Sequence, residues 1–345
     1  MNAISQIVCK FSLALVATAG IGGGSVYAAE VTDPNVAPNP YHMEDAGIQL
    51  PLDRKLGAPI GVEIDHSDGK TLWLFDRCGA DTCIGSNLAP IMKFDATGKM
   101  VANFGSGLIN WPHGFYVDRD GNAWVTDGKA DGGKGHTVIK FAPDGRVLMT
   151  LGKPGVAGDA PDMFNTPSDV LTAPNGDIYV ADGHGILSGQ PTNDRIVKLD
   201  KEGKFITAWG KHGSGPGEFD VPHSLALDSA GRLFVADRSN SRIQIFDQTG
   251  KFIAEWKQFG RPSSVYITKN DVIYVADSQS DEKTNPGFKQ GIRIGSATDG
   301  KVTAFIPLVD PVLGSAEELA VDDQGNIFAG FTAVGKIAVR KFVKN

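Results

Sequence analysis

One repeated pattern runs through this chain and restricts its fold more than any other feature. A short apolar run, a polar turn that usually contains glycine, and a second run rich in Ile, Val and aromatic residues recur six times. The copies are APIGVEIDHSDGKTLWLFDR, WPHGFYVDRDGNAWVTDG, TPSDVLTAPNGDIYVADG, VPHSLALDSAGRLFVADR, RPSSVYITKNDVIYVADS and SAEELAVDDQGNIFAGF. Each copy predicts a strand, a turn and a second strand. Self-similarity of this kind is typical of repeat architectures.

The segments between the copies predict two further strands per repeat. They are IMKFDATGKMVANFG, VIKFAPDGRVLMTLG, RIVKLDKEGKFITAWG and RIQIFDQTGKFIAEWK, each with a glycine-containing hairpin turn. Six sheets of four strands around one axis predict an all-β fold, a six-bladed β-propeller. The last copy is followed by KIAVRKFVKN, which supplies a third strand but no fourth. We therefore predict that an N-terminal strand between Tyr41 and Leu56 completes the last blade and closes the ring.

The N-terminus predicts export. Residues 1–29 contain a lysine, a short apolar run and small residues leading to Ala28 and Ala29, which is the order of a secretory signal peptide. A retained N-terminal anchor is the alternative. Residues 30–51 are proline-rich and predict a linker or lead-in, and residues 52–345 hold the propeller repeats. We expect a periplasmic or secreted protein that is free of the membrane after signal cleavage.

Charge and cysteine content narrow the classes of partner. The net charge of −7 offers no basic footprint for nucleic acid, so a small-molecule or peptide-like substrate is favoured, with a protein partner as a further option. Two cysteines follow the predicted signal peptide, Cys78 and Cys83. In an oxidising compartment their closeness favours a disulfide, and a soft-metal pair is the alternative.

The position that opens the first strand of each blade carries potential metal ligands. These positions are innermost in a propeller, so their side chains should share one mouth of the central channel. Around the ring they are Ile60, His113, Ser168, His223, Ser263 and Glu317. His, His and Glu occupy alternate blades, roughly 120° apart about the axis. They predict a zinc-type site of two histidines and one carboxylate, although iron or another divalent metal would also suit these ligands. Alternatively, each histidine bonds a neighbouring backbone and the glutamate is solvated.

The ends of the second strands offer candidates for catalysis. Arg77 would bring a fixed positive charge for a carboxylate or an oxyanion, or it forms a salt bridge with Asp76 or Asp81. His184 lies at the start of a long loop and is a candidate general base, or an exposed loop histidine. We expect Arg238, at the end of another second strand, to belong to blade-to-blade structure.

Two sets of motifs resemble known families. FNTPSDVLTAPNGDIYVADG and GSGPGEFDVPHSLALDSAGRLFVADRSNSRIQIFD resemble NHL repeats. WPHGFYVDRDGNAWVTD together with VPHSLALD resembles the lyase domain of peptidyl-α-hydroxyglycine α-amidating lyases, over about residues 52–345. That resemblance implies a zinc held by three histidines, two of them matched by His113 and His223. The third falls at Glu317, the family arginine at Arg77, and the catalytic tyrosine at His184.

The same resemblance implies a structural calcium. Its ligands would map to Val62 and Phe115, through backbone carbonyls, and to Glu318 in place of an aspartate. The function implied is a metal-dependent lyase that cleaves the C–N bond of a carbinolamide to an amide and an aldehyde such as glyoxylate. The alternatives are a metal-dependent lactone or ester hydrolase, and a non-catalytic propeller that binds a protein or peptide.

Overall fold

The fold is a ring of antiparallel sheets. A computed structural model describes residues 33–185, 192–308, 314–333 and 338–345, so the predicted signal peptide lies outside the described residues. In these ranges, 24 strands form six sheets of four. This confirms the predicted six-bladed β-propeller. Across the same ranges, no helix has the length and apolar character required to cross a bilayer.

Each blade runs from an inner strand to an outer one. The inner strands contact the inner strands of neighbouring blades and are β2 (Pro59–Ile64), β6 (Pro112–Val117), β10 (Pro167–Thr172), β14 (Pro222–Leu227), β18 (Pro262–Ile267) and β22 (Ala316–Val321). The second strands are β3 (Leu72–Asp76), β7 (Ala123–Asp127), β11 (Ile178–Asp182), β15 (Leu233–Asp237), β19 (Val272–Asp277) and β23 (Ile327–Phe331). The third strands are β4 (Ile91–Phe94), β8 (Thr137–Phe141), β12 (Arg195–Leu199), β16 (Arg242–Phe246), β20 (Gly291–Ser296) and β24 (Val339–Lys344).

The outer strands complete the blades, and one of them comes from the N-terminus. They are β5 (Met100–Phe104), β9 (Val147–Leu151), β13 (Phe205–Trp209), β17 (Phe252–Trp256), β21 (Val302–Pro307) and β1 (Tyr41–Asp45). β1 pairs with β24, with Tyr41 opposite Lys344 and Asp45 opposite Arg340. The prediction that a strand within Tyr41–Leu56 closes the ring is therefore confirmed.

The hydrophobic core lies between the blades. Most residues of the inner and second strands are buried, and six apolar clusters each join two neighbouring blades. Between the first and second blades, for example, the ring of Phe115 on β6 stacks on that of Phe75 on β3, with centroids 5.5 Å apart. Burial of a large apolar side chain contributes roughly 1.5–3 kcal/mol. The ring therefore holds its blades by packing, and its axis is free for polar residues.

The aspartate that ends the second strand fixes where the chain enters each of the first four blades. Asp127, with no exposed surface, accepts backbone N–H bonds from Asn110 at 2.9 Å and Trp111 at 2.7 Å. Asp76, Asp182 and Asp237 make equivalent bonds to the segments before their own inner strands. These bonds explain the recurring aspartate of the repeat. They hold the residues that open each inner strand in one place.

Every inner strand carries an irregularity at the same point. Pairing with the second strand slips immediately after the opening proline, or after Ala316 in the last blade. The residue that follows this proline, or Ala316, is thus left out of the ladder, as in a β-bulge. Bulges change the direction of side chains and are common next to functional sites. The side chains that the repeat aligns, His113, His223 and Glu317 among them, all occupy this bulged position.

Candidate metal centre at the channel mouth

Three histidines meet at the mouth of the channel. His113 and His223 occupy the bulged positions of β6 and β14, and His184 follows β11 by two residues. All three are buried, and one potential ligand atom from each lies within 4.8 Å of the other two. The ring centroids of His113 and His223 are 4.7 Å apart, and that of His184 is 4.5 Å from His113. The sequence placed the first two at one point on the axis, and the structure brings the third to them.

Two of these histidines have one ring nitrogen fixed and the other free. Nδ1 of His113 lies 2.7 Å from the carbonyl oxygen of Ser168, and Nδ1 of His223 lies 2.7 Å from that of Ser263. A carbonyl only accepts, so each Nδ1–H donates and each Nε2 keeps its lone pair. Both Nε2 atoms are buried and have no hydrogen-bond partner among the described residues. A bond from each histidine to a neighbouring backbone is the alternative to metal binding predicted from the sequence. That bond is present, and a bond of this kind also orients a metal-ligating histidine.

Charge and burial keep these rings neutral. Burial lowers the pKa of His113 well below its ordinary value, and the nearby His223 and Arg77 lower it further. The pKa of His223 is also lowered, by burial and by Arg238. Neutral imidazole is the form that binds metal.

The carboxylate of Glu317 lies next to the free nitrogen of His223, and both atoms are hydrogen-bond acceptors. Its Oε1 lies 3.2 Å from Nε2 of His223 and 3.4 Å from Nη1 of Arg238. Burial raises the pKa of Glu317, but the guanidinium of Arg238 lowers it, and the pKa is held below its ordinary value. A carboxylate oxygen and an imidazole lone pair repel unless a cation lies between them. Two ligands of a tetrahedral zinc ion lie about 3.3 Å apart at metal–ligand distances of about 2.0 Å, so this pair fits a metal.

His184 uses its second nitrogen differently. Nη2 of Arg238 lies 3.1 Å from Nε2 of His184. A guanidinium only donates, so Nε2 accepts and the hydrogen of the neutral ring is on Nδ1. That Nδ1 is buried without a partner among the described residues. The two observations differ, because the ligand atoms of the three histidines lie within 4.8 Å of one another, whereas the tautomer of His184 places an N–H on its free nitrogen. Glu317 stays the predicted third ligand because its carboxylate offers a lone pair where His184 offers a hydrogen. His184, expected at the start of a loop, is buried rather than exposed.

Arg238 links blades, as expected, but it does so inside the site. Its side chain is 4% exposed and joins blade four to Glu317 of blade six and His184 of blade three. The sequence did contain a signal, because Arg238 and Arg77 both directly follow the aspartate that ends a second strand. That shared repeat position places both guanidiniums at the channel mouth.

Arg77 lies beside the histidines with several partners. Its Nη1 lies 2.7 Å from Oδ1 of Asp81, and its Nε donates to the carbonyl of Pro112 at 3.2 Å. Its guanidinium carbon is 4.3 Å from the ring centroid of Trp111, which in turn contacts the rings of His113 and His184. The salt bridge expected as an alternative is therefore present, to an exposed aspartate. Trp111 had not been singled out from the sequence, although it precedes the motif proline of the second blade.

Cys78 and Cys83 form a disulfide directly after Arg77. Their Cα atoms lie 5.1 Å apart. The closed loop includes Asp81, the ion-pair partner of Arg77. The cysteines and the arginine thus form one local unit at the rim of the channel.

The residues expected to hold calcium lie on adjacent inner strands. Val62 is on β2, Phe115 on β6 and Glu318 on β22. The carboxylate of Glu318 accepts bonds from the hydroxyl of Ser264 and, at 3.2 Å, from the N–H of Leu319.

Two further carboxylates near Glu318 were missed. Burial and the neighbouring Asp169 raise the pKa of Glu318 well above its ordinary value, and Glu63 raises it further. Burial raises the pKa of Asp169 to about 7. Asp169 and Glu318 share one repeat position, directly after the bulged residue of their inner strands. Three carboxyl groups therefore lie inside the channel, and burial favours their protonated forms.

Comparison with known proteins gives the chain its relatives. A family model for the NHL repeat matches residues 219–246. The human NHL repeat-containing protein 3 is 35% identical over 161 residues, which are 45% of this chain and 44% of that protein. A probable peptidyl-α-hydroxyglycine α-amidating lyase of Caenorhabditis elegans is 38% identical over 146 residues, 41% of this chain and 38% of that protein. The chain thus spans less than half the length of either relative.

Solved structures share the architecture. A streptogramin B lyase structure superposes with a TM-score of 0.56 at 13% identity, over 88% of this chain and 98% of that chain. At this identity the likeness shows the fold alone. The chain is thus a six-bladed β-propeller that contains an NHL repeat and has peptidyl-α-hydroxyglycine α-amidating lyases among its sequence relatives.

Proposed function

We propose that this protein is an exported, metal-dependent lyase of the amidating-lyase type. Its substrate would be a carbinolamide, an acyl-NH–CH(OH)–carboxylate, and its products an amide and an aldehyde such as glyoxylate. The observation that carries the proposal is the pair of buried, unpartnered Nε2 lone pairs of His113 and His223, with the ionised Glu317 set against one of them. The likeness to amidating lyases supports the reaction class.

The residues present fit a zinc-type metal. His113, His223 and Glu317 would hold it, and when bound it would polarise the hydroxyl or carboxylate of the substrate. Arg77 would hold negative charge on the substrate. In the reaction the hydroxyl loses its proton, the carbon–oxygen double bond forms, the C–N bond breaks, and the amide nitrogen gains a proton. His184, beside the ligands, would give its Nδ1 proton to the amide nitrogen and take the hydroxyl proton on Nε2, which requires Arg238 to release that nitrogen.

A calcium ion held by Val62, Phe115 and Glu318 is a second part of the proposal. Burial raises the pKa of Glu63, Asp169 and Glu318, and Asp169 raises the pKa of the two glutamates further. A cation would favour their ionised forms. A calcium ion among oxygen ligands would balance that charge. Its role would be structural, since it would tie neighbouring inner strands together.

Export is supported by the N-terminal pattern and by the disulfide. Expression of the full chain followed by N-terminal sequencing of the exported product should give a start near Ala28 or Ala29. A product that keeps residue 1 and sediments with membranes would contradict cleavage.

Metal analysis and turnover test the reaction. The mature protein, purified without chelators, should contain about one equivalent of a divalent metal at this centre and should release glyoxylate from α-hydroxyhippurate. His113→Ala should lose both metal and activity. His212→Ala, which changes an exposed histidine that pairs with Asp194 and is not a proposed ligand, should keep both. Less than about a tenth of an equivalent of metal would reject the centre. Turnover of a lactone panel without turnover of α-hydroxyhippurate would instead indicate a hydrolase.

A further inference from the structure

Buried polar atoms without partners are concentrated at the channel mouth. Nine such side-chain atoms occur among the described residues, and five of them belong to His113, His184, His223, Arg238 and Trp111. The proposed metal centre accounts for Nε2 of His113 and His223, the proposed proton transfer for Nδ1 of His184, and Arg238 is paired through its other nitrogens. The indole N–H of Trp111 has no part in that centre.

Trp111 is held so that its N–H edge is turned away from the backbone beneath it. The side chain is 2% exposed, and a Cβ added at Gly128 would come within 2.6 Å of its Cε3. Cε3 and Nε1 lie on opposite edges of an indole, so the six-membered ring packs on Gly128 and Nε1 lies on the far edge. A buried donor without an acceptor costs about 1–3 kcal/mol. Packing alone would be served by phenylalanine at no such cost.

The charge around Trp111 selects the kind of acceptor. The guanidinium carbon of Arg77 lies 4.3 Å from the ring centroid, and Nζ of Lys129 lies 4.9 Å from it. Two cations at one indole make the surroundings positive and favour an anionic oxygen over a neutral carbonyl. The same ring contacts His113 and His184, so an anion bound to Nε1 would lie beside the histidines.

We propose that Trp111 is a substrate-recognition residue whose Nε1–H donates to a carboxylate oxygen of the ligand. This inference rests on the proposed function, whose substrate carries a carboxylate next to the carbon that reacts. Trp111 then selects carboxylate substrates, because its buried indole N–H forms a stronger hydrogen bond with a carboxylate oxygen than with the oxygen of an uncharged amide.

The indole N–H can be observed directly. The chain has five tryptophans, so protein labelled with ¹⁵N-tryptophan gives five indole N–H resonances, and Trp111→Phe identifies one of them. Titration with glycolate should move that resonance downfield, and glycolamide should not. Glycolate affinity should fall roughly tenfold in Trp111→Phe, as for a lost hydrogen bond to a charged group. Metal content, measured in parallel, should stay unchanged.

Trp209 provides a matched control. Its Nε1 is likewise buried without a partner, but it lies on the outer strand β13. Trp209→Phe should leave glycolate affinity unchanged. The proposal is overturned if wild type does not bind glycolate, if Trp111→Phe binds it equally well, or if glycolamide moves the Trp111 resonance as far as glycolate. Glycolate binding with these signatures but without turnover of α-hydroxyhippurate would reject the lyase and leave the recognition role of Trp111 in place.

Discussion

At the scale of single residues, the site depends on which atoms carry hydrogens. His113 and His223 each spend one N–H on a backbone carbonyl of the next blade and keep one lone pair free. His184 accepts from Arg238 and keeps its hydrogen on Nδ1. Three similar side chains thus have two different chemical roles, and the difference comes from the partner of each ring rather than from its residue type.

This difference predicts opposite outcomes for two substitutions. Glu317→Gln removes a charged ligand, so we expect metal affinity to fall by at least tenfold. His184→Gln leaves His113, His223 and Glu317 in place, so metal content should stay near wild type while turnover falls. Competition with a chromophoric zinc chelator measures the affinities. If His184→Gln loses the metal and Glu317→Gln keeps it, then His184 is the third ligand and Arg238 must release it on binding.

At the scale of elements, the repeat determined what could be predicted. The strand pairs, the blade number and the closing strand follow from periodicity and turn residues, and all appear as expected. The bulge at His113 could not be predicted from the sequence, because a bulge is defined by the hydrogen-bond register between two strands. Trp111 was missed for a related reason: its importance comes from Arg77 and His184 on other blades, which a linear pattern does not show. Arg238 and Asp169 differ, because they share repeat positions with Arg77 and Glu318.

The closing strand gives a test of pairing at this scale. The N–H of Asn345 donates to the carbonyl of Pro40. In an antiparallel pair, the backbone N–H groups of alternate residues point to the partner strand. The backbone N–H of Glu44 therefore points to β24, and that of Met43 points away from it. Glu44→Pro should therefore remove a ladder bond and lower the free energy of unfolding by about 1–3 kcal/mol. Met43→Pro, one residue away, should cost clearly less. Equal losses in urea denaturation would mean that β1 does not pair in this register.

At the scale of the whole molecule, the axis brings together charges that are far apart in the chain. The histidine centre combines groups from blades two, three, four and six, and the acidic group below it combines Glu63, Asp169 and Glu318 from blades one, three and six. Neither site exists in one blade alone. Closure of the ring is therefore a condition for both sites, and a cation in the channel would stabilise the closed ring.

The acidic group makes the stability of the cation-free protein depend on pH. Burial raises the pKa of Asp169 from 3.8 to about 7, so the folded state holds a proton that the unfolded state has released. Its contribution is complete below about pH 4 and is lost as the pH rises through 7. With a chelator present, thermal unfolding should therefore occur at lower temperature at pH 8 than at pH 6, and Asp169→Asn should reduce this difference. Because calcium favours the ionised carboxylates, its stabilising effect should grow from pH 6 to pH 8, and a calcium effect that is equal at both would contradict a cation bound among these groups.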